Sequence, residues 1–296
     1  MFRRLFFRRL FFRRVSGFAA ALAVTAVLGA GTAHAAPQEP RAQKRVYNGM
    51  QIAFNAAYPD AFCTIGAVGD DDYGRKIAIS AGHCVSGPEY ADRDLHEDII
   101  PVYHRQDIGY GPIGYVRYFK DPEGSMTGHL TKDYMVIELA ASVTPSSQGP
   151  HLKQTGNLEV PGGIPSPNAL SPALNSERLL GAAWFNNNEL LVSGQLGVWY
   201  GRITNNDRGI YQAHTQHKAG DSGGPTIWHV PGTAYPSEAN GFKAEGPWAG
   251  ITKAIILGFP AYVYTSSANI LADLRARDAA DPADVFGAGF EVTSNP

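Results

Sequence analysis

Glycine and proline set the terms on which this chain can fold. Of 296 residues, 33 are glycine and 20 are proline. Glycine weakens a helix by its backbone freedom, and proline removes a helical hydrogen bond, so this density favours short strands and many turns. Hydrophobic residues make up 44% and charged residues 18%, which allows a sizeable core and excludes wholesale disorder. The length suits one large β or α/β domain or two of ordinary size.

The apolar runs fit that picture. Cys63–Val68 and Lys76–Ser80 flank the turn-rich Gly69-Asp70-Asp71-Asp72-Tyr73-Gly74 and predict a hairpin. Pro101–His104, Ile113–Phe119 and Tyr134–Leu139 continue the strand series. Residues 149–172 carry Pro150, Pro161, Pro165, Pro167 and Pro172 with little periodicity, as a linker or long surface loop does. A second series follows at Leu190–Ser193, Leu196–Tyr200, Ile210–Ala213, Thr226–His229, Ala249–Thr252 and Ala261–Thr265. One helix is predicted near the end. Ser267 is its expected cap, Ile270, Leu271 and Leu274 share a face, and Asp273 with Arg277 forms an i,i+4 pair. Residues 281–296 read as a tail. The expected fold class is all-β: two β units, a Pro-rich linker and a closing helix.

The first residues belong to export rather than to the fold. Met1–Arg14 is basic, Val15–Ala33 is uncharged, and Ala33-His34-Ala35 fits a small-x-small cleavage site. Residues 1–35 are therefore expected to be a signal peptide, and 36–45 a short pro-segment or tail. The paired arginines leave a twin-arginine route open. The uncharged stretch is rich in Ala, Gly and Thr, too weakly apolar for a good membrane anchor. Past Ala36 no apolar run is long enough to span a bilayer, so no membrane contact is expected after export. Beyond the leader the chain holds 19 basic and 27 acidic residues, which argues against a nucleic-acid partner. Cys63 and Cys84 lie twenty-one positions apart. In an oxidising compartment they are expected to pair, worth roughly 3 kcal/mol; two buried free thiols are the alternative.

Two short segments carry chemistry. In Ile77-Ala78-Ile79-Ser80-Ala81-Gly82-His83-Cys84 an alternating strand runs out into small residues and delivers a histidine. In Gly220-Asp221-Ser222-Gly223-Gly224-Pro225 a serine sits among glycines, where nothing shields its hydroxyl and backbone N–H groups can converge on an anion. A serine alone is a weak nucleophile and needs a base such as His83. A third group must hold that imidazole in the right tautomer.

Together these segments resemble the chymotrypsin-like (trypsin-type) serine proteases, especially their secreted bacterial members. The resemblance runs from about Val46 to Leu274. It implies a protease domain over 46–296 made of two six-stranded antiparallel β-barrels. The first spans about 46–148 and the second about 173–265, with a C-terminal helix and tail at 266–296. It also implies a monomer that acts on peptides or proteins and needs no cofactor or metal. The family places an aspartate between the histidine and the serine at the start of a buried strand. Asp133 fits, ahead of the alternating Met135, Ile137 and Leu139; Asp107 and Asp121 are the competitors and lead no strand as regular. By resemblance Ser222 attacks the scissile carbonyl, His83 moves the proton and Asp133 orients His83. The N–H groups of Gly220 and Ser222 would form the oxyanion hole.

The pocket for the side chain before the cut is expected from Gln216, His217, Lys253, Ala254 and Ile255. With no aspartate six places before Ser222, cleavage after Lys or Arg is not expected. His217 and Lys218 would suit an acidic side chain, or simply face solvent. Ile255 stands near a position where the family has glycine, which would narrow the pocket. Lys44-Arg45-Val46-Tyr47 resembles the family's activation site. A cut after Arg45 would free the Val46 amine to pair with Asp221, and the alternative is a tail trimmed in passing. His214 and His217, three apart, have a metal-ligand spacing, but pocket wall is the preferred reading. Glu89, Asp92, Asp94, Glu97 and Asp98 are mixed with Arg93 and His96 and read as a solvated loop rather than a calcium site. Two rival functions stay open: a catalytically silent protease-like binding protein, and an esterase using the same three residues.

Overall fold

The computed structural model describes residues 43–85, 93–96, 100–120, 132–153, 179–180, 203–207, 210–213, 217, 219–228, 244–256, 261–282 and 285–296. For 179–180, 203–207, 210–213, 228, 255–256 and 261–262 the description is of backbone only. The expected signal peptide, the strands expected at 190–200 and most of the Pro-rich segment lie outside these residues.

In chain order the strands are β1 (Lys44–Tyr47), β2 (Gln51–Ala53), β3 (Phe62–Thr64), β4 (Ala67–Asp70), β5 (Lys76–Ser80) and β6 (Arg93–Asp94). Then come β7 (Pro101–His104), β8 (Pro112–Lys120), β9 (Tyr134–Leu139), β10 (Val143–Ser146) and β11 (His151–Lys153). The later half adds β12 (Leu179–Leu180), β13 (Ile203–Asp207), β14 (Ile210–Ala213), β15 (Pro225–Trp228), β16 (Glu245–Ile256) and β17 (Ala261–Ser266). Helix α1 (Ser267–Ala280) and β18 (Glu291–Val292) close the series. The protein is thus mostly β with one C-terminal α-helix among the described residues. No helix among them is long and apolar enough to cross a membrane.

Pairing sorts the strands into a nine-stranded sheet, β18-β4-β5-β9-β8-β7-β2-β3 with β6 on β8, and a seven-stranded one, β12-β15-β16-β17-β14-β13 with β11 on β16. Each holds more strands than the six expected, short edge pieces such as β6, β12 and β18 among them, and β1 and β10 pair with each other outside both. Two pairings are parallel, β1 with β10 and β11 with β16. The predicted hairpin is β4–β5, but the run from Cys63 to Val68 is two strands, β3 and β4, broken at Ile65-Gly66.

Strand β9 shows how the sheet is held. The sequence suggested one apolar face, but both faces are buried. Met135, Ile137 and Leu139 pack with Val46, Ile52, Val102 and Val116 in one core. Tyr134 and Val136 pack in a second core with Trp248, Ile251, Tyr264, Ile270 and Leu274, which joins the two sheets to α1.

Three details of the C-terminal region differ from expectation. The helix cap is Ser266, whose hydroxyl accepts from the Asn269 N–H at 3.1 Å, while Ser267 donates to the Trp248 carbonyl at 2.7 Å. Asp273 and Arg277 do not serve each other: Asp273 accepts from Lys132 and Tyr134, and Arg277 bonds Asp94. Tertiary partners win because they let a buried carboxylate collect several donors at once. Finally, 285–293 is no tail. Val285, Ala288 and Phe290 are buried in the second core, Phe290 lies edge-on to Trp248 at 5.7 Å, and β18 pairs with β4.

Candidate active site

Antiparallel register brings the first two residues together. Ser80 at the end of β5 lies opposite Met135 near the start of β9. The chain just past β5 and the chain just before β9 therefore meet at one sheet edge. His83 sits there in a single turn of 3₁₀ helix, Gly82–Cys84. Its Nδ1 is 2.7 Å from Asp133 Oδ2, and its backbone N–H donates to Asp133 Oδ1 at 3.0 Å. Asp133 is 0% exposed, whereas 15% of the His83 side chain still reaches solvent. Burial alone would push the Asp133 carboxyl up; the facing His83, its hydrogen bonds and the charge of Lys253 outweigh that and hold it below the ordinary carboxylate value. Asp107, the competing aspartate, is half exposed and pairs with Lys44. Asp121 lies outside the described residues.

The neighbours of Asp133 fix its direction. Residues 132 and 134 point away from it, as alternation requires, and both reach one carboxylate on α1. Asp273 accepts from the Tyr134 hydroxyl at 2.6 Å and from Lys132 at 2.8 Å, with Lys120 at 3.3 Å. Burial raises the Asp273 carboxyl, but these donors more than offset it and leave it low. The sequence offered Asp273 only as a helix-surface partner of Arg277, not as this anchor.

Ser222 comes from the other sheet, in the turn that leads into β15. Two glycines with positive φ shape it, Gly220 at 95° and Gly223 at 82°. A Cβ on Gly223 would lie 2.1 Å from Ser80 Oγ and 2.5 Å from the Thr64 carbonyl, so backbone packs directly on backbone there. The turn is stitched on both sides. The Thr64 N–H donates to the Ser222 carbonyl at 2.8 Å, and the Thr64 hydroxyl donates to the Gly220 carbonyl at 2.7 Å. On β16, Thr252 accepts from the Gly223 N–H at 2.8 Å and donates to the Gly224 carbonyl at 2.9 Å.

The disulfide between Cys63 and Cys84 has formed, as expected. It joins the residue before Thr64 to the residue after His83, so one covalent link spans the serine-turn support and the histidine. Its sulfurs and a His83 ring nitrogen lie within 4.8 Å of one another, but both sulfurs are spent in the bond and offer a metal nothing.

The remaining expected residues fall into place unevenly. His217 is 7% exposed, with its ring edge-on to Tyr264 at 5.6 Å. Burial pushes its imidazole down to about 3, so it is neutral at ordinary pH. Lys253 is 2% exposed, deeper than the wall of an open pocket would need. Ala254 is half-buried, and Ile255 is described by its backbone alone. Gln216, Lys218 and His214 lie outside the described residues. Val46 is buried inside β1, Arg45 is exposed, and Asp221 is buried at 3% exposure. Of the acidic set, Asp94 is described and pairs with Arg277. Glu89, Asp92, Glu97 and Asp98 are not among the described residues.

No family model matches this chain. Among curated proteins it is 36% identical over 106 residues to the uncharacterized protein MT1863 of Mycobacterium tuberculosis (strain CDC 1551 / Oshkosh), covering 34% of this chain and 38% of that one. The match thus spans well under half of the relative. Among solved structures it is similar to Thermobifida fusca protease A, at 14% identity over 84% of this chain and 100% of that one, TM-score 0.46. It is also similar to a glutamic-acid-specific serine protease that uses a histidine triad in substrate binding, at 13% identity over 77% and 97%, TM-score 0.43. A third is Nocardiopsis protease, at 13% identity over 77% and 96%, TM-score 0.41.

Proposed function

We propose that this chain is a secreted serine endopeptidase that cuts peptide bonds through Ser222, His83 and Asp133 and an acyl-enzyme intermediate. The observation that carries it is the His83–Asp133 pair: two hydrogen bonds, at 2.7 and 3.0 Å, to a carboxylate with no solvent exposure. With Nδ1–H donated to Asp133, the lone pair lies on Nε2 and is the site that accepts the serine proton. The Ser222 oxygen then bonds the scissile carbonyl carbon. His83 passes the proton to the leaving amine, and water hydrolyses the acyl-enzyme by the same route. The turn supports the oxyanion role of Gly220 and Ser222, because the N–H groups of Gly223 and Gly224 are already committed to Thr252 and Asp221. Each oxyanion donor is worth about 3 kcal/mol of barrier.

The test is labelling by a serine-directed phosphonate together with cleavage of a peptide library. Label on Ser222, cleaved peptides, and loss of both in a folded Ser222→Ala protein are expected. Label without peptide cleavage would favour an esterase, and no label at all a silent binding protein.

Activation by a cut after Arg45, with the Val46 amine pairing with Asp221, belongs to the same proposal. The Arg45–Val46 bond lies inside β1, where Val46 stands opposite Pro145 of β10. Cleavage therefore requires β1 to leave β10 first. A protein beginning at Val46 is expected to exceed an uncut Arg45→Gln protein in specific activity; equal activities with the segment still attached would remove the activation step.

A further inference from the structure

Lys253 carries a long cationic side chain, yet it is 2% exposed. An ammonium withdrawn from water is costly unless an anion faces it. Backbone irregularity accounts for its place. The register of β16 against β17 shifts between Thr252 and Ala254, so Lys253 is the extra residue of a bulge. A bulge interrupts the alternation of side chains and re-aims the one it carries. On one side its neighbour Thr252 is bonded to the serine turn through Gly223 and Gly224. Across the sheet, Ile251 stands opposite Thr265, whose hydroxyl receives the Asp133 N–H at 3.4 Å. Lys253 thus follows directly on the residue bonded to the serine turn and stands two places past the one opposite Thr265. Its charge is one of those that hold the Asp133 carboxyl low.

We infer that Lys253 is a positioning residue for the His83–Asp133 pair: its buried ammonium anchors the carboxylate and sets the pH at which His83 works as a base. The inference rests on the protease reading above. An imidazolium forming near an ammonium is disfavoured, so His83 stays unprotonated to lower pH than it would without Lys253. The other described groups around the pair do not duplicate this. Asp221 in the serine turn is acidic and acts in the opposite sense, and the cations Lys132 and Lys120 are turned to Asp273. His217, ahead of that turn and against Tyr264 of β17, is held neutral by burial until about pH 3.

The test is a pH titration of the His83 ring by NMR in the Ser222→Ala protein, with Lys253 kept or replaced by Met, Gln or Arg. Met and Gln are expected to move the His83 midpoint upward by about one unit, and Arg to leave it near its starting value. With Ser222 intact, the acidic limb of kcat/KM moves by the same amount. A midpoint in the Gln protein that coincides with that of the lysine protein overturns the inference, and Gln carries the comparison should Met fail to fold. The ring titration needs no catalysis. Its failure is therefore separate from a failure of phosphonate labelling, which would sink the protease reading itself.

Discussion

The histidine–aspartate pair and the serine turn are built by opposite means. The pair depends on side chains. His83 grips Asp133 twice, and Lys132 and Tyr134 on either side of Asp133 are clamped to Asp273 of α1. The serine turn depends on missing side chains. Gly220 and Gly223 adopt positive φ, and the turn lies so close to Ser80 and Thr64 that a single added carbon has no room. One region is held by polar contacts that can be removed one by one, the other by a fit that tolerates no addition. Conservative substitutions should therefore injure them in different ways, one in chemistry and one in stability.

The largest effect is expected on the chemical side. Asp133→Asn keeps the shape but reverses the hydrogen-bond sense at Nδ1, so kcat should fall by about 10⁴-fold with the fold retained. A variant within tenfold of the parent would detach Asp133 from the mechanism.

Gly223→Ala probes the other side. Left-handed strain and overpacking together predict a loss of about 3 to 5 kcal/mol in stability, read as a lowered urea midpoint. An unchanged midpoint would show that Ser80 and Thr64 yield easily, and the contrast between the two regions would then collapse.

Asp273→Asn should cost less, about 2 to 3 kcal/mol at neutral pH. Its sign with pH is fixed. The folded carboxyl sits below its ordinary value of 3.8, so its contribution is complete above that value and is lost as pH falls through the lowered one. The difference between parent and variant should be constant from pH 7 to about 5 and shrink in stronger acid. A difference that grows with acid would contradict the ion-pair account.

Much of this was legible in the sequence because it is local. The strand ending in Ala81-Gly82-His83-Cys84 and the glycine run around Ser222 each announce a sharp exposure of one side chain. Asp133 was readable as the start of a strand with alternating apolar residues. What escaped notice is tertiary. Asp273 reads as an ordinary helix-surface acid until Tyr134 and Lys132 are brought to it from about 140 positions away. The burial of Lys253 follows from a bulge, and a register shift leaves no mark in the composition of one strand. Residues 281–296 read as a tail, since Phe286 and Phe290 among glycines carry neither helical nor strand period, yet Phe290 fills the core beside Trp248.

That last placement governs timing. Strand β18 joins β4 across about 220 positions of sequence, and Phe290 completes the core shared by both sheets and α1. A nascent or translocating chain cannot seal that core until residue 290 has emerged. Everything before it, the turn that carries Ser222 included, must wait incompletely packed. The surroundings of Ser222 and His83 are therefore completed late, by a segment about 70 positions beyond the serine turn.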